Sequence, residues 1–518
     1  MKRRASVIFI NSLSTYARMA VSMFMGLLIT RTALNILAEN SPFSKEVFGV
    51  FMLLISVSTT TQFLNESIQQ AMIRFLSISL QNQEWDKTKQ LFNSGWVMSM
   101  VIGSSVAVIM AMLAPSIVQT FNIPPQLVTQ AKYIIWVSAF AQLIGAMTQP
   151  WSTTLSAEDR YTLINILYVL QQLLILIGVS LVQFLPVDLL LGLCLVWLTP
   201  GVIIGVMLAA WIYQQKPVFR LDWDYIRWQD CKQLLSLGGW SSLIGFASNL
   251  YERTDQILIN LLLGPSFNAI YAVAIQLASA LNRLVTSLTS VLLPTASRIS
   301  DSGSVWEKQQ LILRSTRYVL TLALPATVVV AIFRREIIEM WLGKGFDAAI
   351  SILPLTIFLV FCRIPIFVTW PYLTATNQLK LPACAILLDG ICNVFLSIGY
   401  VKTFHLGLAG IVLGTLSTNL IRFICFQIPF VAKLIELPVT QYWLKGYTRP
   451  LIPILWLAPC LYLIQSWHLP AISTISLLTI SGLLYALSIW FWVFDTYEQQ
   501  LFIDMLNYIF KTKNLNKS

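Results

Sequence analysis

Charge is scarce in this 518-residue chain: Asp, Glu, Lys and Arg make up 11%, against 57% hydrophobic residues. A water-facing domain carries roughly a quarter charged residues, so a soluble globular protein is excluded. Imidazole is nearly absent, with only His405 and His468, and the seven cysteines form no CxxC pair. No metal site, disulfide framework or cofactor is therefore expected. The GxxxxGK phosphate loop is missing, which argues against direct ATP hydrolysis. Large polar loops are missing too, and with them any catalytic arrangement, so the chain does not read as an enzyme. The net charge of +11 is scattered one to four cations per loop instead of forming a basic stripe with interleaved aromatics, which speaks against nucleic acid as a partner.

What the chain has is apolar length. Stretches of about 20 residues, enough to cross ~30 Å of hydrocarbon, recur fourteen times, near 12–36, 47–70, 92–114, 128–149, 161–185, 189–213, 236–263, 267–293, 318–341, 350–374, 381–404, 406–430, 450–466 and 471–494. The expected fold is thus an all-α polytopic membrane protein of about 14 transmembrane helices. The thirteenth stretch is short and flanked by proline, so twelve spans plus a re-entrant pair is the competing count. With the N-terminus inside, 22 of the 34 Lys and Arg residues fall in loops on the cytoplasmic side and 5 on the other. Positive residues collect inside, so both termini are expected in the cytoplasm. The opening MKRRASVIFI imitates a secretory signal, but Asn11, Ser12, Ser14 and Arg18 interrupt it and it reads as a retained first helix. Residues 219–237, FRLDWDYIRWQDCKQLLSL, interleave Trp223, Tyr225 and Trp228 with cations, a pattern suited to a helix lying in the headgroup layer.

A weak internal repeat is present. LNIL, FGVF and MIRFLS in the first half answer INLL, IYAV and LPTASRIS about 225 residues later. Both halves start inside and run outward, so they are parallel repeats about an axis along the membrane normal, with a binding site expected between them. The expected division is a six-helix lobe at 1–215, a second at 216–432, two extra helices in 433–495 and a tail at 496–518.

Six arginines sit inside the apolar stretches: Arg18, Arg31, Arg253, Arg283, Arg363 and Arg422. A guanidinium near the bilayer centre costs ~2.5–3.5 kcal/mol and keeps its proton, so such a set calls for an anionic or water-filled surface to face. Arg31 lies near a helix end and can snorkel instead. Three carboxylates share the setting, Asp255 and Asp389 deep and Glu66 nearer a helix end. Intramembrane carboxylates bind Na⁺ or H⁺ in transporters. Arg253 is flanked by Glu252 and Asp255, which can neutralise it locally, and Asp389 is equally a candidate ion-pair partner of Arg363 or Arg422. Arg363 precedes Pro365, where a missing backbone donor loosens a helix. Uncharged polar residues within the spans, among them Asn11, Gln62, Asn65, Gln142, Gln149, Asn249, Asn393 and Asn419, suit either a glycan in a wet cavity or ordinary interhelical bonding.

The run ERTDQILINLLLGPSFNAIYAVAIQLASALNRLVTSLTSVLLPTASRI, from Glu252 to Ile299, resembles the signature region of polysaccharide flippases in the multidrug, oligosaccharidyl-lipid and polysaccharide exporter superfamily. So do residues 48–77, MWLGKGFDAAISILPL at 340–355 and HLGLAGIVLGTLSTNL at 405–420. The resemblance implies two six-helix bundles around a central cavity, with extra C-terminal helices in fourteen-span members. It also implies transport of an undecaprenyl-diphosphate-linked oligosaccharide, as in O-antigen assembly, across a bacterial inner membrane, among membrane lipids and other polysaccharide-assembly proteins. Arg18, Arg253 and Arg283 fall on segments that line the cavity in that family, and the planar fork of donors on Arg matches phosphate oxygens. The competing readings are a cation-coupled multidrug exporter of the same superfamily and a membrane polymerase or ligase acting on the same lipid.

Overall fold

A computed structural model describes residues 2–60, 62–290, 299, 304–376, 378–496 and 498–500, without the side chains of 2–10, 12, 63, 237–244, 246–252, 290, 375 and 471. The side chains of Asn249 and Glu252, the LPTASR run and the lysines of the C-terminal tail lie outside the described residues.

Among the described residues every regular element is a helix. In chain order these are α1 (Lys2–Asn40), α2 (Ser44–Thr60), α3 (Gln62–Gln81), α4 (Trp85–Thr120), α5 (Val128–Ala157), α6 (Tyr161–Leu181), α7 (Leu189–Gln215), α8 (Trp228–Leu263), α9 (Pro265–Ser290), α10 (Val305–Ile332), the short α11 (Arg334–Leu342), α12 (Asp347–Ala375) and α13 (Lys380–Lys402). Three more spans close the chain: α14 (Gly407–Leu434), α15 (Val439–Ser466) and α16 (Ile472–Val493). The protein is therefore an all-α, multi-pass membrane protein. Among the described residues twelve helices are long and apolar enough to cross a bilayer, and thirteen if the bent pair of α2 and α3 counts as one span. The stretch expected at 236–263 lies in α8, whose 36 residues reach across at 1.5 Å each but which is not among the apolar twelve. Both C-terminal helices, α15 and α16, meet the test, and no re-entrant pair replaces them. On α16, Ile472, Leu483 and Phe491 are more than 60% exposed, an apolar face that suits hydrocarbon and not water.

One local expectation fails. Residues 219–237 form no separate surface helix: Pro217–Phe219 and Trp223–Tyr225 are single 3₁₀ turns joined by non-helical chain, and α8 begins only at Trp228. Tertiary contacts fix this loop instead. The Asn93 side chain accepts from the Asp222 amide at 2.8 Å, Ser94 Oγ accepts from the Arg227 amide at 3.1 Å, and Trp151 Nε1 donates to the Phe219 carbonyl at 3.1 Å.

The helices group into two compact units, which do not coincide with the lobes expected from the sequence. The first contains Met1–Gln276, Trp341–Ile352 and Lys380–Thr418; the second contains Leu277–Met340, Leu353–Leu379 and Asn419–Ser518. In the first, Ile68, Met72, Leu76, Phe92, Trp96 and Trp151 make a core where α3, α4 and α5 meet. There the repeat-related helix starts touch: a Cβ on Gly49 of the FGVF motif would stand 1.8 Å from the Pro265 carbonyl oxygen, and Ser266 Oγ donates to Glu46 at 2.9 Å. Only glycine permits that approach of α2 to the start of α9. In the second unit, Phe333, Leu457, Leu461, Ile464 and Tyr485 pack α10, α15 and α16 together, and the Tyr485 hydroxyl donates to the Thr321 carbonyl at 2.9 Å.

Candidate functional site

Inside the first unit a cavity of about 430 Å³ opens between α3, α5, α6 and α7. Its wall sets amides and hydroxyls among apolar residues: Gln62 and Asn65 from α3, Gln142, Thr148 and Gln149 from α5 and Gln171 from α6 stand beside Ile164, Leu167, Ile204 and Leu208. Helix α7 faces them with Gly201 and Gly205. A Cβ at either would come within 2.9 Å of the Gln171 amide nitrogen or the Thr148 hydroxyl, so these glycines leave room for polar side chains between close-packed helices. A second hollow of about 220 Å³ shares Gln62, Gln142, Gly145, Gln171 and Gly201 and continues to Ser138 and Trp197. Part of the wall is self-satisfied, since Gln149 Nε2 donates to Gln69 Oε1 at 3.1 Å.

Of the charged groups in the sequence reading, one lines this cavity and one rests on a residue of its wall. Glu66 lines it and is exposed. The Arg18 guanidinium lies 5.0 Å from the ring centre of Tyr168, itself a wall residue, in a cation–π arrangement. Arg18 Nε is buried with no hydrogen-bond partner among the described residues. Arg31, farther along α1, is exposed.

A second polar centre in the same unit surrounds Asp255, which is 3% exposed. Its carboxylate accepts from Asn393 Nδ2 at 2.9 Å, from the Tyr271 hydroxyl at 2.8 Å and from Thr415 Oγ1 at 2.8 Å. Asn393 Oδ1 in turn accepts from Ser397 Oγ at 2.9 Å. These donors come from α9, α13 and α14, so one carboxylate on α8 ties three further helices. Asp389 is buried on α13, one turn before Asn393. Arg253, two residues before Asp255, is half-buried.

The other three arginines belong to the second unit. Arg283 on α9 is exposed, and Arg363 on α12 is half-buried. Arg422 is 8% exposed and donates from Nη2 to Asn419 at 3.0 Å. With the Gln427 amide turned to satisfy both its atoms, Gln427 accepts from Arg422 Nε at 3.1 Å and donates to the Cys362 carbonyl at 2.8 Å. Gln427 ends a π-helical turn, Phe423–Gln427, which re-aims the side chains of α14 at this point.

The profile of the polysaccharide biosynthesis protein family matches residues 43–351, more than half of the chain. The chain belongs to that family. Of curated proteins, the uncharacterized membrane protein EpsK of Bacillus subtilis (strain 168) is 24% identical over 416 residues, covering 78% of this chain and 80% of EpsK. Among solved structures, the lipid II flippase MurJ in an inward closed conformation superposes with a TM-score of 0.69 at 13% identity, covering 93% of this chain and 98% of that one. A multidrug resistance MATE family transporter of the MOP superfamily, facing inward, gives 0.68 at 13% identity over 81% and 94%. This member of the polysaccharide biosynthesis family thus has the fold of the MOP-superfamily transporters.

Several residues of these sites are not among those singled out from sequence, notably Tyr168, Gln171, Thr148, Tyr271 and Thr415. Gln171 and Gln172 side by side near the middle of a predominantly apolar 24-residue span were a legible signal. A lone Thr or Tyr in a membrane helix carries none, because either side chain can bond its own helix or face lipid. Conversely, Asn11 turns out to be structural: its side chain donates to the Asp159 carbonyl at 2.7 Å and accepts from Thr162 Oγ1 at 2.9 Å, tying α1 to the start of α6.

Proposed function

We propose that this protein is a flippase that carries an undecaprenyl-diphosphate-linked oligosaccharide from the cytoplasmic to the outer leaflet of a bacterial inner membrane, by alternating access and coupled to an ion gradient. The observation that carries the reading is Arg18, a permanently charged group with a buried donor unpaired among the described residues, resting on Tyr168 of the cavity wall, in a chain of the polysaccharide biosynthesis family. Arg18, Arg253 and Arg283 are the first cationic donors assigned to a diphosphate, followed by Arg31 and Arg363, while Arg422 is engaged by Asn419 and Gln427. Asp255 with Asn393 and Thr415, joined by Asp389, presents clustered oxygens of the kind that take up H⁺ or Na⁺, and Glu66 is the corresponding acid on the cavity wall. The cation distribution favours both termini in the cytoplasm.

Purified protein in proteoliposomes tests the reading. Undecaprenyl-diphosphate oligosaccharide loaded in one leaflet should become accessible to an added glycosidase in the other, faster under an imposed H⁺ or Na⁺ gradient. Unchanged accessibility with and without protein would refute the function, and export of organic cations in the same vesicles would favour the multidrug reading. A reporter fused after Lys513 that is active only in the periplasm would refute the topology.

A further inference from the structure

We infer that the cavity in the first unit is a sugar site, taking the neutral sugar residue next to the diphosphate of the lipid-linked substrate; this rests on the flippase reading and assigns part of that substrate to a place. Three side-chain atoms on the walls of the two joined hollows are buried with no hydrogen-bond partner among the described residues: Asn65 Oδ1, Gln142 Nε2 and Ser138 Oγ. Asn65 and Ser138 are 5% and 3% exposed. A buried polar atom left unpaired is destabilising by about 1–3 kcal/mol, so an occupant that pairs all three gains that back. The set is mixed, with one acceptor, one donor and one group that is both. Hydroxyl groups answer such a set because each donates and accepts, and several fixed on one ring answer it at once.

Size and charge narrow the occupant further. The hollows, at about 430 and 220 Å³, fall within the ~300–1,000 Å³ of ligand sites when taken together. An organic cation would enter beside the Arg18 guanidinium, and an anion would enter beside Glu66. A neutral polyol meets neither penalty. A diphosphate held at Arg18 puts the first sugar against Tyr168, the ring on which that guanidinium rests.

The site can be tested by comparing two lipids on full-length protein in nanodiscs: undecaprenyl diphosphate, and the same lipid bearing a single glucose. The parent protein should bind the glucosylated lipid at least tenfold more tightly. Asn65→Leu and Gln142→Leu should erase that ratio while leaving the affinity for the sugarless lipid within twofold, and Arg18→Gln should weaken both lipids. Gly145→Leu guards against misfolding: Gly145 lines both hollows, and nothing lies within 4 Å of where its Cβ would be. The new side chain should fill the space, favour the helix, and abolish the glucose preference without lowering the melting temperature. A glucose preference that survives Gly145→Leu would overturn the assignment, as would equal binding of the two lipids by the parent, the result expected of a merely water-filled cavity. Binding of neither lipid would instead refute the flippase reading itself.

Discussion

Two buried polar clusters, one in each compact unit, are partnered in different ways. In the second unit, Arg317, Glu498 and Asp495 pair charge with charge. Arg317, 5% exposed, reaches Glu498 at 2.9 Å and Asp495 at 3.4 Å; Tyr318 adds a hydrogen bond to Glu498 at 2.9 Å; and Arg422 is held by Asn419 and Gln427. In the first unit, polar atoms on the cavity wall are left open, and the carboxylate of Asp255 is met by neutral amide and hydroxyl donors. A saturated cluster has little left to offer a ligand. Open valences and neutral donors suit sites that fill and empty during a transport cycle, when strong permanent pairing would hold one state too firmly.

Breaking Arg18 should have the largest effect on function. Arg18→Ala should abolish lipid translocation in proteoliposomes with protein abundance unchanged, whereas Arg422→Ala should lower abundance first; the reverse pattern would dissolve the distinction between open and saturated arginines. Next comes the buried cluster of the second unit. Arg317→Ala takes from the buried Glu498 its nearest charge partner and leaves it Arg314 at 3.7 Å and the Tyr318 hydroxyl; removing one partner of a buried pair costs up to about 3–5 kcal/mol. Its melting temperature should fall well below that of Arg31→Ala, where the side chain is exposed.

Asp255→Asn should be intermediate. It keeps shape and most hydrogen bonding, so the protein should fold, and it should lose acceleration by an imposed H⁺ or Na⁺ gradient while downhill movement persists. Gradient-driven rates equal to the parental ones would remove Asp255 from coupling. The smallest effect belongs to Asp495, outside the last span. Its partial burial works to raise its pKa, but the Glu498 backbone amide and the Arg317 charge outweigh this and hold the carboxyl below its ordinary value. A carboxyl depressed in the folded state adds stability above its unfolded pKa, and that stability is lost as pH falls through the folded value. The melting temperature should therefore decline slightly on acidification below the usual carboxylate range, and Asp495→Asn should flatten that slope.

Hydropathy alone located nearly every span, because a membrane helix must satisfy its backbone within one segment and so writes its length into a contiguous apolar run. It was less informative at 219–237, where aromatic and basic residues suited a surface helix, yet Asn93, Ser94 and Trp151 hold the chain in two turns. The division into lobes at 215 and 432 followed the repeat, whereas the compact units draw α13 and the first part of α14 to α8. Asp255 shows why: its partners Asn393 and Thr415 are 138 and 160 residues away.

The sequence by itself determined that the chain is a multi-pass helical membrane protein, where its spans run, and which arginines, carboxylates and amides sit within them. Only the tertiary structure decided which of those polar groups are satisfied and which stand open. Composition and periodicity are properties of a single helix, while the pairing of a buried hydrogen-bonding group depends on the helices packed against it. Asn11 and Asn65 are the same residue type in similar apolar surroundings, yet one is bound on both sides by the turn between α5 and α6 and the other faces a cavity with its oxygen unpaired.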